Sequence, residues 1–161
     1  MPSRWTFTIK PIKELLAKYI GDGVGWVDPF AGKNSPAKFT NDLDESLEVT
    51  HTGDALDWLK TLPNNSAIGV LYDPPYSITQ ARKYGHKKYS SMKYWADVKN
   101  ELTRILKVGG LAICCGWSSQ GLGKNRGCQP IEILLVPHGG SKNDTIVTVE
   151  KKLNNTTNKE G

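Results

Sequence analysis

The sequence predicts an α/β fold, with a mostly parallel sheet that ends in an antiparallel hairpin. Two observations lead to this prediction. Five short apolar runs are separated by helical or polar connections, which is the pattern of parallel strands joined by crossovers. Two further strand-like runs then flank the turn His138-Gly-Gly, and this arrangement is typical of a hairpin at the end of a mixed sheet.

Each element has a local signal. A helix is predicted at 13–20, where apolar residues recur every three or four positions until Gly21. A second helix begins at Asp54, an N-cap type residue, and a third spans about 89–106, with the glycines of 107–110 expected to end it. The strands are predicted at 25–30, 38–42, 48–52, 67–72, 111–117, 131–136 and 145–149.

Length and composition indicate one globular domain. The chain has 161 residues, of which 38% are hydrophobic and 23% charged, so disordered and fibrous classes are excluded. We assign 1–152 to a single domain and 153–161 to a polar, frayed tail. No run approaches the ~18 apolar residues of a membrane helix, and the N-terminus lacks an apolar export segment.

The cysteines and histidines indicate neither disulfides nor a metal. Three cysteines are present, and Cys114 and Cys115 are adjacent, which excludes a disulfide framework and fits the reducing cytoplasm. The three histidines have no ligand spacing with the cysteines, so no metal site is predicted.

Three carboxylates stand at the ends of predicted strands, where open parallel sheets bind ligands. Asp28 follows the first strand and leads into a tight turn formed by Pro29, Phe30, Ala31 and Gly32. Asp42 follows the second strand and Asp54 the third. A carboxylate at the end of the second strand suits a ribose diol, because it can accept two hydrogen bonds. A lone aspartate at a strand end is more often an ordinary turn or cap residue than a ligand.

The fourth strand ends in Asp73-Pro74-Pro75-Tyr76, a more specific signal. The Asp73 carboxylate and the Pro74 carbonyl offer two acceptors for the two hydrogens of an amino group. Such contacts favour a tetrahedral nitrogen whose lone pair can attack a methyl group, and the two prolines hold the acceptors rigidly. Tyr76 offers a ring on which a base can stack. These four residues are the predicted catalytic residues.

The net charge of +5 arises in one segment. Residues 82–107 carry eight basic and two acidic side chains, interleaved with Tyr84, Tyr89, Tyr94 and Trp95. Cations and rings together are typical of a nucleic-acid surface, although a solvated lysine-rich helix face is an equal alternative. The candidate nucleic-acid contacts are Arg82, Lys83, Lys87, Lys88 and Lys93, together with Lys124 and Arg126 in a later glycine-rich loop.

In order along the chain, these motifs resemble those of small phage or prophage DNA adenine methyltransferases that use S-adenosylmethionine. The resemblance is carried by 28–32, 40–44, 53–56, 73–76 and 106–110, and it covers roughly 5–152. It implies a Rossmann-like class I methyltransferase sheet of seven strands, the last antiparallel, with helices on both faces. It also implies S-adenosylmethionine as cofactor and double-stranded DNA with a flipped-out adenine as substrate, as in restriction-modification.

The resemblance implies a role for each cofactor-side residue. Asp42 would bind the ribose hydroxyls, Asp54 and Ala55 the adenine, and the turn from Asp28 to Gly32 the methionine end, near Asp73. Lys10 lies in an upstream segment, 7–11, that resembles the one that contacts that same end.

Two departures from the family pattern are present. Asn34 replaces the usual second glycine, and no separate target-recognition domain follows the catalytic motif. A homodimer or a separate DNA-recognition partner is therefore expected. The alternatives are a cytosine-N4 or RNA adenine methyltransferase, or a non-catalytic binding module on the same fold.

Overall fold

The fold was analysed on a computed structural model that describes residues 5–75, 91–140 and 142–154. Three α-helices are present in these ranges: α1 (Lys10–Ile20), α2 (Ala55–Thr61) and α3 (Met92–Ile105). The strands are β1 (Trp26–Asp28), β2 (Phe39–Asp42), β3 (His51–Thr52), β4 (Ala67–Tyr72), β5 (Leu106–Gly116), β6 (Cys128–Val136) and β7 (Thr145–Lys152). Short 3-10 turns lie at Thr6–Thr8 and Lys124–Arg126.

The seven strands form one mixed sheet in the order β3-β2-β1-β4-β5-β7-β6. The strands from β3 to β5 are parallel, and β7 runs antiparallel to both β5 and β6. The predicted mostly parallel sheet with an antiparallel last strand is confirmed.

The sheet buries apolar side chains on both faces. Along β4 and β5, alternate residues enter two separate cores, as the two-residue period of a strand requires. Val70 and Ala112 pack against α2 and α3, whereas Leu71 and Ile113 pack against α1. Helices therefore cover both faces, and the segments 70–72 of β4 and 112–115 of β5 are apolar and buried because both of their sides are covered.

The expectation that 107–110 ends the third helix is wrong. The helix ends at Ile105, and β5 begins at the next residue. Leu106 pairs with Ala67 of β4, and the next pair joins Leu111 to Gly69. Residues 107–110 therefore form a bulge in β5. A Cβ on Gly110 would lie 2.9 Å from the Ile68 carbonyl oxygen, so this glycine permits a close approach of two strands.

Within the described ranges, no helix combines the length and the apolar character that crossing a membrane requires. Within the described ranges, the three cysteines are buried free thiols, so Cys114 and Cys115 are core residues. The residues that the structure describes contain no cluster of three or more histidine, cysteine or acidic side chains placed to hold a metal. Of the predicted tail, 155–161 lie outside the described residues.

Candidate functional site

Four aspartates lie beyond the carboxyl ends of the parallel strands. Asp28 ends β1, Asp42 ends β2, Asp54 follows β3 and Asp73 follows β4. Because parallel strands end at the same edge of a sheet, these residues share one edge, where open α/β sheets bind ligands. Because β1 pairs with β2 on one side and with β4 on the other, Asp28 lies between the strand ends that carry Asp42 and Asp73.

Asp28 is the most buried of the four. Its side chain is fully inaccessible, and it accepts hydrogen bonds from Phe30 N (3.0 Å) and Ser35 Oγ (2.6 Å). Burial, with a smaller contribution from the charges of Asp73 and Asp42, raises the pKa of Asp28 to about 7, although the two hydrogen bonds oppose the shift. Near neutral pH this carboxyl group therefore exists in both protonation states.

The turn after β1 is fixed to β2 by main-chain hydrogen bonds. Ala31 N donates to the Asn41 carbonyl (3.0 Å), and Gly32 N donates to Asp42 Oδ2 (2.9 Å). Gly32 has φ +56°, and a Cβ built on it would meet no heavy atom within 4 Å. The backbone at Gly32 therefore faces open space, next to a cleft of about 530 Å³ that Lys33, Ser35 and Thr40 help to line.

Asp42 binds the loops on both sides of it. While Oδ2 accepts from Gly32, Oδ1 accepts from Asp44 N (3.0 Å), and the Asp42 carbonyl accepts from Gly53 N (2.9 Å). The side chain is half-buried. Each carboxylate oxygen has a second lone pair, so the group can still accept from a diol.

Asn41 organises this part of the site, although no role was predicted for it beyond its place in a motif. Its side chain is 1% exposed, and its Nδ2 donates to the carbonyls of Pro29 (3.1 Å) and Gly53 (3.0 Å). Its Oδ1 accepts from His51 Nδ1 (2.7 Å). One buried amide thus joins the loops after β1 and β3.

Asp54 is the N-cap of α2. Oδ1 accepts from Asp57 N (3.0 Å), as in an ordinary cap, and Oδ2 accepts from the Tyr94 hydroxyl (3.3 Å). The next residue, Ala55, is the first of α2 and is buried. The predicted pair Asp54 and Ala55 therefore borders the same edge, tied to α3 through Tyr94.

The predicted catalytic motif leaves the sheet beside the end of β5. Tyr72 pairs with Cys114, so the chain that follows Tyr72 runs next to Cys115 and Gly116. Burial raises the pKa of the Cys115 thiol, and the Asp73 charge adds to that effect, which is consistent with their proximity. Asp73 and Pro75 are half-buried and Pro74 is buried. Tyr76 lies outside the described residues.

An aromatic cluster closes the edge between β1 and α3. The Phe30 ring packs on Tyr72 (centroids 6.1 Å apart) and on Trp95 (5.9 Å), and Trp95 meets Tyr94 edge-on (5.2 Å). Tyr94 is only 8% exposed. The expectation that Tyr94 belongs to a nucleic-acid surface is therefore wrong, since the helical period directs its ring to the core.

The basic candidates occupy different environments. Lys10 opens α1 and is exposed, Lys93 is exposed and pairs with Asp97 (2.6 Å), and Lys124 is exposed in its 3-10 turn. The Arg126 guanidinium instead bonds Asn100 Oδ1 and the carbonyls of Leu122 and Ala96. Arg82, Lys83, Lys87 and Lys88 lie outside the described residues.

Comparisons by sequence find no relative: the chain matches no protein-family profile and no curated protein. Comparison by structure does find similar proteins. One is the 1,6-didemethyltoxoflavin-N1-methyltransferase of Burkholderia thailandensis, solved with S-adenosylhomocysteine. It has a TM-score of 0.63 and 12% identity, and the match covers 89% of this chain and 77% of the other.

Two further solved structures agree. A SAM-dependent methyltransferase from Archaeoglobus fulgidus has a TM-score of 0.59 at 10% identity, over 92% of this chain and 95% of the other. TrmN from Thermus thermophilus has a TM-score of 0.57 at 17% identity, over 88% of this chain but 48% of the other. The fold is therefore the Rossmann-like fold of S-adenosylmethionine-dependent methyltransferases.

Proposed function

We propose that this protein transfers a methyl group from S-adenosylmethionine to the exocyclic amino nitrogen of adenine in DNA. The observation that carries the proposal is the meeting of four sequence motifs at one sheet edge. Three of the motifs surround the end of β1: the turn 28–32, Asp42, and the pair Asp54 and Ala55. The fourth, Asp73 with Pro74, lies at the end of the adjacent strand β4. A cofactor bound over the first three would be next to a substrate bound at the fourth.

The residues at this edge fit the cofactor. The Gly32 backbone faces open space, so a ligand can approach it closely. Asp42 would accept from the ribose hydroxyls, Asp54 and the Ala55 N–H would hold the adenine edge, and the Asp28–Gly32 turn, with Lys10, would border the methionine end. When bound, the cofactor supplies an electrophilic methyl group on a sulfonium.

Asp73 and Pro74 would prepare the amine that accepts the methyl group. The carboxylate and the carbonyl each accept one amino hydrogen, which localises the nitrogen lone pair. Pro74 is buried and Pro75 half-buried, so these acceptors sit on a segment with little freedom to move. Pro75 would fix the direction of the chain, and Tyr76 would stack on the flipped base. The amine proton that is displaced passes to solvent.

DNA would be held by phosphate contacts. Lys124 and Lys93 are exposed and can reach a phosphate, with Arg82, Lys83, Lys87 and Lys88 adding charge from the same basic segment. Arg126 is engaged by internal hydrogen bonds, so its contribution would be mainly to hold its loop. A second copy of the chain or a separate recognition protein would complete the DNA contact, in the cytoplasm of a bacterial cell.

The test is methyl transfer from labelled S-adenosylmethionine to unmethylated DNA, with RNA in a parallel reaction and nucleoside analysis of both. We expect N6-methyl-2′-deoxyadenosine from DNA and no labelled nucleoside from RNA. Label in cytosine would move the reaction to the cytosine-N4 class, and label in RNA alone would make RNA the substrate. No transfer at all, with intact cofactor binding, would indicate a binding module.

A further inference from the structure

The loop between β5 and β6, residues 117–127, is held by a fully buried carboxylate. Glu150 of β7 is 1% exposed, and it accepts hydrogen bonds from Leu122 N (2.6 Å) and Gly123 N (3.1 Å). Charge-assisted bonds to two backbone N–H groups are strong, and burying a carboxylate without such partners is costly. The loop and Glu150 are therefore built around each other.

Gly121 shows how close this fit is. It has φ +55°, and a Cβ on it would lie 2.3 Å from Glu150 Oε2. Leu122, the next residue, is 1% exposed and belongs to the core under α2 and α3. A change at Gly121 or a shift of the Leu122 backbone would therefore displace Glu150.

Helix α3 fixes the same turn from the other side. Lys99 Nζ donates to the Gly121 carbonyl (2.7 Å), and Arg126 donates to the Leu122 carbonyl (2.9 Å). The Lys99 ammonium also lies 5.6 Å from the centre of the Tyr72 ring. Tyr72 directly precedes Asp73, so one lysine contacts both the loop and the strand that carries the catalytic motif.

The start of the loop lies where the proposed substrate would bind. Tyr72 pairs with Cys114 on the parallel neighbour strand, so Asp73–Pro75 and Cys115–Trp117 leave the sheet side by side. Trp117 is 46% exposed, and Ser118, Ser119 and Gln120 are exposed. A large ring and three hydrogen-bonding side chains suit a nucleobase.

We propose that Glu150 is a positioning residue for the methyl transfer, holding Gly121–Gly123 so that Trp117–Gln120 form the second wall of the site for the target base. This inference rests on the proposed function, because the wall would contact the target base of that reaction. Glu150 itself touches neither substrate nor cofactor. It acts through the loop, as a rigid support for groups that must be placed accurately.

The test compares Glu150→Gln with the wild-type protein at a temperature where both are folded. The amide keeps the size of the carboxylate and one acceptor, but its NH₂ opposes one of the two backbone N–H groups. We expect kcat for DNA methylation to fall about 10- to 100-fold, the cost of a misplaced substrate, with S-adenosylmethionine affinity unchanged. Hydrogen exchange at Leu122 and Gly123 should accelerate.

Matched variants separate positioning from general stability. Glu132→Gln changes a half-buried glutamate of β6, which accepts hydrogen bonds from Lys18 Nζ (2.6 Å) and from the Tyr19 hydroxyl, and it should leave all three readouts unchanged. Gly121→Ala should reproduce the Glu150→Gln phenotype. Gly109→Ala, at φ +79° with no atom near its Cβ, imposes similar backbone strain at the opposite end of β5 and should not.

Each outcome decides between the two proposals. The positioning role is overturned if Glu150→Gln keeps the wild-type kcat, even when hydrogen exchange at Leu122 and Gly123 is faster. If Glu150→Gln does not fold, Gly121→Ala with wild-type kcat overturns it in the same way. A wild-type protein that methylates neither DNA nor RNA overturns the proposed function, and this inference with it.

Discussion

Two buried polar side chains support the edge of the sheet at the carboxyl ends of the parallel strands. Asn41 supports the half of this edge around β1–β3, and Glu150 supports the half beside Asp73. Their hydrogen-bonding roles are opposite. Asn41 on β2 donates to two main-chain carbonyls, whereas Glu150 on β7 accepts from two main-chain N–H groups. Both are 1% exposed. The neutral amide joins two loops around the candidate cofactor site, and the carboxylate tightens a single loop beside Asp73. The edge is thus held from both sides by residues that need not contact a ligand.

The difference has an energetic consequence. An amide can be buried at moderate cost once its hydrogen bonds are made, while a carboxylate requires strong, well-placed donors. Substitutions in the half supported by Asn41 should therefore reduce the affinity for the cofactor by a moderate factor. Changes in the Glu150 half should act on the placement of the substrate.

The largest effect is expected at Asp73, between the two halves. Asp73→Ala should reduce methyl transfer by about 10²–10³-fold, because one preorganised acceptor of the target amine is lost. Cofactor affinity, measured by calorimetry, should stay within about tenfold, since the β1–β3 half is intact. Near-normal turnover would remove Asp73 from the catalytic role.

The buried carboxyl group of Asp28, in the half supported by Asn41, makes the free energy of unfolding depend on pH. The pKa of Asp28 is about 7 in the folded protein and near 3.8 when unperturbed, so between these values the unfolded chain binds fewer protons. Stability should therefore fall as pH rises, by about 2 kcal/mol between pH 5 and 7. Asp28→Asn mimics the protonated form and should remove this slope, as followed by urea denaturation. An equal slope in both proteins would contradict the raised pKa.

Asn41→Asp tests the amide that joins the loops. The aspartate cannot donate to the carbonyls of Pro29 and Gly53, so we expect S-adenosylmethionine to bind about tenfold more weakly. Asn64→Asp is the control: Asn64 is exposed and only accepts, from Arg104 (2.6 Å), which an aspartate can also do. Equal cofactor affinity in the two variants would show that the loops keep their positions without Asn41.

The last effect concerns DNA affinity rather than either half. Neutralising Lys83, Lys87 and Lys88 together should reduce the slope of log K against log salt by about 2–3, so the loss of affinity should be largest at low salt and fade as the salt concentration rises. The control is Lys13→Gln with Lys60→Gln, on exposed positions of α1 and α2. A slope equal to that of the control would favour the solvated helix face.

Local patterns in the sequence predicted most of the fold and the positions of four aspartates at strand ends. Asp28, Asp42, Asp54 and Asp73 each follow a predicted strand, so their position at strand ends is visible in the sequence. The residues that support them are not visible in this way. Asn41 and Glu150 look like ordinary polar residues of strands, and only the pairing of distant segments makes them buried.

The errors have the same origin. Gly109 and Gly110 follow a helix and resemble a glycine stop, but the close approach of Gly110 to Ile68 of β4 makes them part of a bulged strand. Tyr94 was assigned to a basic aromatic surface because of its neighbours in sequence, while its hydroxyl bonds Asp54 from a buried position. Both depend on contacts between residues far apart in the chain.

The central claim is that the β1–β3 half of the edge binds the cofactor and Asp73 prepares the substrate. The most direct test is the rate of DNA methylation as a function of S-adenosylmethionine concentration, for Asp42→Ala and Asp73→Ala. We predict that Asp42→Ala binds the cofactor more weakly by about 1–3 kcal/mol yet approaches the wild-type rate at saturation. Asp73→Ala should saturate normally at a rate about 10²–10³-fold lower. If both variants lose affinity and maximal rate equally, the division of roles along this edge is contradicted.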